Sequence, residues 1–179
     1  MLKGPRIYLR PFQIDDAGAS LRLHSDNRDF FEKYSSTRTR DFYTIEGQVD
    51  RIKGYNESMQ KDNAYEFGIF RNDDHALIGS INLFHVMRGA LQSAIVGYVL
   101  DKSQNGKGYT TEAVQLIVNY GFNELTLHRI EAGVMPHHLA SIRVLEKAGF
   151  HKEGIAQKNV KINGKWEDHQ VLAILNPND

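Results

Sequence analysis

The chain has 179 residues and no cysteine, and 22 lysines and arginines balance 22 aspartates and glutamates. That length suits one domain with a buried core, while the missing cysteines exclude disulfides, thiolate zinc sites and a cysteine nucleophile. A net charge of zero offers no broad surface to nucleic acid or membrane, no segment nears the ~20 apolar residues of a membrane span, and the first residues carry no secretory signal, so a cytoplasmic protein is expected.

Arg6–Phe12 reads as a short strand ended near Pro11, and Asp15–Asp16 as the cap of a helix carrying Leu21 and Leu23. Asn27–Tyr34 predicts a second short helix and Arg38–Tyr43 a polar, aromatic link. Thr44 caps a longer helix through about Gln60. Two strands follow, Tyr65–Phe70 and Ala76–Val86, joined by the turn residues Arg71–His75 into a hairpin. Met87–Gln92 makes another turn into Ser93–Leu100, whose β-branched and aromatic run suits a buried strand.

That strand runs into Asn105-Gly106-Lys107-Gly108, after which Ala113, Leu116, Ile117 and Tyr120 recur at helical spacing. A glycine turn feeding a helix leaves backbone N–H groups unpaired at the positive end of the helix dipole, which favours a phosphate. An ordinary strand-to-helix turn would use the same glycines. Beyond it, Arg129–Met135 predicts a fifth strand and Ala140–Ala148 a helix stopped by Gly149. Strands near Ala156–Ile162 and Lys165–Leu175 meet at Asn163-Gly164, a hairpin signal. The order predicts a mixed α/β sheet with one parallel crossover after the glycine turn.

Three segments carry a family resemblance: Asn105-Gly-Lys-Gly-Tyr-Thr-Thr-Glu-Ala113; His128-Arg-Ile-Glu-Ala132 leading to Ser141–Phe150; and Asn163-Gly-Lys-Trp-Glu-Asp168. With the opening Ile7–Phe12, this ordered set resembles the GNAT superfamily of acetyl-CoA-dependent N-acetyltransferases, within it the Rim-type ribosomal-protein-alanine acetyltransferases. The resemblance spans residues 1–179 and implies a twisted, mostly antiparallel sheet of six to seven strands with helices on both faces. It implies acetyl-CoA as cofactor. Tyr98, Val99 and Leu100 would meet the pantetheine arm, and Asn105, Gly106, Lys107, Gly108, Tyr109, Thr110 and Thr111 would cradle the pyrophosphate. Ser103 stands where the family has arginine or glutamine.

Acetyl transfer needs a neutral amine, a polarised thioester and a proton for the leaving sulfur. Where many superfamily members place a tyrosine acid, this chain has Leu145. The Rim-type group resembles a design with a serine at the helix start, which makes Ser141 the candidate acid; a plain helix-start residue is the alternative. Glu131 is the candidate base, or else a half-exposed carboxylate paired with Arg129. An N-terminal amine, with a pKa near ~8, is partly neutral without a base. His138 replaces the family's asparagine beside the cofactor arm, and His137–His138 lacks a third ligand for a metal. Trp166, Asp168, Asn82 and His85 would line the acceptor side or serve packing and surface.

The expected function is acetyl transfer from acetyl-CoA to a primary amine, that of a protein N-terminus. Its rivals are transfer to a small amine and a non-catalytic acyl-CoA-binding module. A nucleotide-triphosphate site lacks its lysine–serine pair and acidic magnesium ligand. A free edge strand at the last hairpin would allow a homodimer.

Overall fold

A computed structural model describes residues 1–179. In chain order its strands are β1 (Leu2–Lys3), β2 (Ile7–Pro11), β3 (Tyr65–Arg71), β4 (Leu77–Met87), β5 (Ser93–Leu100), β6 (Arg129–Val134), β7 (His151–Ile162) and β8 (Lys165–Leu175). The helices are α1 (Ala17–Asp26), α2 (Arg28–Glu32), α3 (Ile45–Gln60), α4 (Tyr109–Asn123) and α5 (Leu139–Lys147). One sheet runs β1-β2-β3-β4-β5-β6-β8-β7, and β5 with β6 is its parallel pair.

Eight strands form where six to seven were expected, the additional one arising because Leu2 and Lys3 pair with Leu9 and Tyr8. Glu112, in the first turn of α4, accepts from the backbone N–H groups of Arg6 and Ile7 and from Arg6 Nε. Asp15 and Asp16 lie in a short 3-10 turn and Asp16 is the N-cap residue of α1, but its carboxylate accepts from Gln13 N–H and grips the Arg10 guanidinium instead of bonding to the helix. The second helix is shorter than its expected Asn27–Tyr34 span and covers five residues. β7 begins at His151, well ahead of Ala156; its bulges shift the register against β8 at Lys152/Gly154 and Ala156/Val160.

Alternation along the strands sends different residues to the two sheet faces. Tyr65, Phe67 and Ile69 of β3, Ile81 and Leu83 of β4, and Ala94 and Val96 of β5 join Ala113, Val114, Ile117 and Val118 of α4 in a core of 25 buried residues. Each fully buried aliphatic side chain there contributes about 1.5–3 kcal/mol of transfer free energy. α1 and α3 cover the opposite face, where Phe12, Ala17 and Ile52 make a small apolar cluster. Thr44 caps α3 as expected, its Oγ1 accepting from Gly47 N–H at 3.0 Å. Asn163 and Gly164 take positive φ at the final hairpin, and Asn163 Nδ2 donates to the carbonyl of Glu32. The hairpin is thereby held against the end of α2.

Candidate active site

The ladder between β5 and β6 stops after three pairs, Ser93–Arg129, Ala94–Ile130 and Ile95–Glu131. From Val96 onward the two strands diverge. β5 keeps its bonds to β4 as far as Leu100, while β6 is held by β8 up to Val134. The edge of β5 that faces the gap thus carries main-chain groups with no strand beside them, which can pair with an extended ligand. Tyr98, Val99 and Leu100 lie on this stretch.

At the end of the gap the chain turns into α4. Gly108 is the residue before the helix and has φ +84°, and Gly106 has φ +79°. A side chain is strained at such angles. None of the six consecutive backbone N–H groups from Gly106 to Thr111 finds an acceptor in the protein. The loop is braced from below, where Arg6 Nη1 donates to the Lys107 carbonyl at 2.6 Å and the Arg6 guanidinium lies over the Tyr109 ring. Unpaired amides at a helix N-terminus, held rigid and beside a gap, fit a pyrophosphate. The residues expected to cradle it are therefore brought together. Asn105 differs in one respect, since its N–H is already given to the Lys102 carbonyl.

Across the gap, α5 begins. Ser141 lies in its first turn, buried, and its Oγ is 2.6 Å from the Tyr98 hydroxyl. Sequence reasoning gave Tyr98 only a main-chain role; its side chain reaches the candidate acid. Burial pushes the Tyr98 phenol up to about 12, against the pull of its bond to Ser141, so it stays a neutral O–H at physiological pH. Either hydroxyl can donate in this bond. Leu145 is fully buried behind them, so the tyrosine common in the superfamily has an apolar replacement here.

His138 precedes α5 and stacks on Tyr34 with ring centroids 3.8 Å apart. Burial and then the neighbouring His137 lower its pKa, which keeps the imidazole neutral. Glu131 stands elsewhere. It pairs with Ile95 at the closed end of the ladder, and Arg129 Nε donates to it at 2.8 Å. The same arginine holds Glu153. The Glu131 carboxylate is thus engaged in a partly exposed ion pair with Arg129. Trp166 is 56% exposed, and Asp168 accepts from Lys158 N–H. His85 is exposed with positive φ near a bulge, whereas Asn82 is half-buried across the ladder from Glu66. Nowhere do three histidine, aspartate or glutamate side chains converge as metal ligands. No helix is long and apolar enough to cross a membrane.

A parallel strand pair that opens beside a glycine-built anion cradle defines an acyl-CoA-dependent acyltransferase fold. The family model for the acetyltransferase (GNAT) domain matches residues 6–151, and the chain belongs to that family. It is 64% identical to the probable N-acetyltransferase YjcK of Bacillus subtilis over 179 residues, 100% of this chain and 99% of the relative. It is 31% identical to the [ribosomal protein uS5]-alanine N-acetyltransferase of Escherichia coli over 172 residues, 96% of this chain and 89% of the relative. The solved structure of Mycobacterium smegmatis RimJ in complex with CoA-disulfide superposes with a TM-score of 0.92 at 28% identity, covering 98% of this chain and 87% of that one. Acetyltransferases of this family take their acetyl group from acetyl-CoA, and this chain is an N-acetyltransferase of the same kind.

Proposed function

We propose that this chain transfers the acetyl group of acetyl-CoA to the α-amine at the N-terminus of a protein, with ribosomal proteins as the substrate class. The activated thioester comes with the donor; the protein supplies grip, orientation and proton handling. Amides 106–111 hold the pyrophosphate. The open edge of β5 from Tyr98 to Leu100 aligns the pantetheine arm, and neutral His138 borders that arm. Ser141 gives its hydroxyl proton to the leaving sulfur, and Tyr98 keeps the serine oriented and stabilises the charge left on its oxygen. The contact that carries this reading is the 2.6 Å bond between Tyr98 and Ser141 at the mouth of the gap. The α-amine acceptor is supported by the relative that acts on the alanine of uS5.

The test is acetyl-CoA turnover, read as thiol release, against short peptides with free N-termini and against a set of small amines. Peptide acetylation at the α-amine is expected. Acetylation of small amines alone would remove the protein acceptor. Ser141→Ala is expected to lower kcat by about 100-fold, in the range of a lost general acid, with acetyl-CoA affinity little changed. An unaltered kcat would remove Ser141 from the mechanism.

A further inference from the structure

The sheet face beneath α1 and α3 holds a polar group that the chemistry above does not use. Glu66 of β3 is 9% exposed and stands across the ladder from Asn82 of β4. Asn82 in turn stands across from Gly97 of β5. This row of three ends two residues past Ile95, the last position of β5 that pairs with β6, and so runs into the gap. In the whole protein only two buried side-chain polar atoms lack a hydrogen-bond partner, Asn82 Oδ1 and Arg51 Nε. Both belong to the surroundings of Glu66. Asn82 Oδ1 lies against Gly97, where an added Cβ would come within 2.9 Å of it.

The cluster is also unpaired in charge. Glu66, Arg51 and Arg38 take part in none of the protein's ion pairs. Arg38 and Arg51 instead lie over the Phe42 ring at 4.7 and 4.5 Å, and Arg51 donates to the Tyr55 hydroxyl. Burial in native proteins normally comes with satisfied partners, and each exception asks for a cause. Two exceptions beside one unpaired carboxylate, at the end of a row leading to the reaction gap, indicate a proton-handling site on the acceptor side.

We propose that Glu66 is the proton acceptor for the amine, with Asn82 positioning its carboxylate and the bare Cα of Gly97 making room over β5 for Asn82 Oδ1. This rests on the acetyltransferase reading and does not depend on which amine is used. The ammonium gives one proton to a Glu66 oxygen, directly or through one water. Its freed lone pair forms the N–C bond as the thioester C–S bond breaks. The sulfur takes the Ser141 proton, and the second proton lost from nitrogen restores the serine. Glu66 then releases its proton to solvent, so ammonium and thioester become amide, thiol and one proton.

The groups facing Glu66 suit the task. Burial pushes its pKa up to about 7, while Asn82 and Ser80 from β4, Arg51 from α3 and Arg38 from the link before α3 pull the other way. Tyr55, raised to about 12, is neutral, and His24 of α1, lowered to about 4 by burial and by the two arginines, is neutral as well. A base that titrates near the working pH is the efficient kind. The two guanidinium charges add a second effect, since they disfavour a bound ammonium relative to the free amine.

The experiment compares wild type with Glu66→Gln on whichever acceptor the wild type acetylates from a panel of an alanine-initiated peptide, spermidine and glucosamine. The variant is expected to lose about 100-fold in kcat near neutral pH and the acidic limb of its kcat/KM profile, with acetyl-CoA affinity by calorimetry unchanged. With trifluoroethylamine, already neutral at the assay pH, the loss is expected to shrink to a few-fold. An equal loss with that amine, or a wild-type pH profile in the variant, overturns the proposal. Spermidine turnover without peptide turnover removes the protein acceptor and leaves the Glu66 test standing on spermidine. If no panel amine reacts, carboxyl NMR decides. A Glu66 signal titrating near neutrality and shifted by methylamine supports the role, and one titrating like an ordinary glutamate overturns it.

Discussion

On the face covered by α4, β3 presents Tyr65, Phe67 and Ile69 to the main core, whereas on the face covered by α1 and α3 the same strand presents Glu66 and Gly68. β4 repeats the division, with Ile81 and Leu83 on one side and Ser80 and Asn82 on the other. The first face is close-packed hydrocarbon and supplies cohesion. The second is floored by polar atoms, and its helices attach through hydrogen bonds such as Ser20 Oγ to Gln48 Oε1 and Gln48 Nε2 to the Phe42 carbonyl. One sheet thus gathers hydrocarbon on one face and buried polar groups on the other, although Tyr98, opposite Ile81, brings the candidate site onto the apolar face as well, and Leu83 and Glu66 should answer mutation with opposite signs.

The largest effect is expected on the apolar face. Leu83→Ala should cost about 2–5 kcal/mol, as for other fully buried leucines, read from the midpoint of denaturant unfolding. Glu66→Gln should move stability the other way. A carboxyl raised from 4.5 to about 7 in the folded state is protonated more readily there than in the unfolded chain. Its native form is therefore favoured at low pH and progressively penalised as pH rises from 4.5 through 7. Removing that penalty should stabilise the variant by roughly 3 kcal/mol at pH 8 and by less than about 1 kcal/mol at pH 5. A loss of stability at pH 8 would mean that the carboxylate is held by partners the structure does not show. Smallest is Thr44→Ala, which deletes the cap of α3 and should cost about 1 kcal/mol. Because α3 carries Arg51, that variant should also raise amide exchange on the strands beneath α3 more than on α4.

Features written in local chemistry were legible from the sequence. Asn163-Gly164 marked a turn because positive φ admits few residues, and Gly106 and Gly108 marked the turn before α4 for the same reason. The apolar run of β5 and the periodicity of α4 placed the glycine turn between them. Pairings made over long separations were not legible. Leu2–Lys3 becomes a strand only because Glu112 secures the turn beside it, and His151–Ile155 reads as polar loop until β8 supplies its partner. Tyr98 and Ser141 are 43 positions apart, and nothing local announces that their hydroxyls meet. Glu66 did leave a trace, a carboxylate within the otherwise apolar Tyr65–Phe70, but its meaning depends on Arg51, Asn82 and Gly97 arriving from three other elements.

The most direct measurement for the central claim follows backbone amide signals by NMR as coenzyme A is titrated into the protein. The account predicts that Gly106, Lys107, Gly108, Tyr109, Thr110 and Thr111 shift together and become protected from exchange, with smaller changes along Tyr98–Leu100. If those six amides stay in place while another surface responds, the loop is an ordinary turn and the site lies elsewhere.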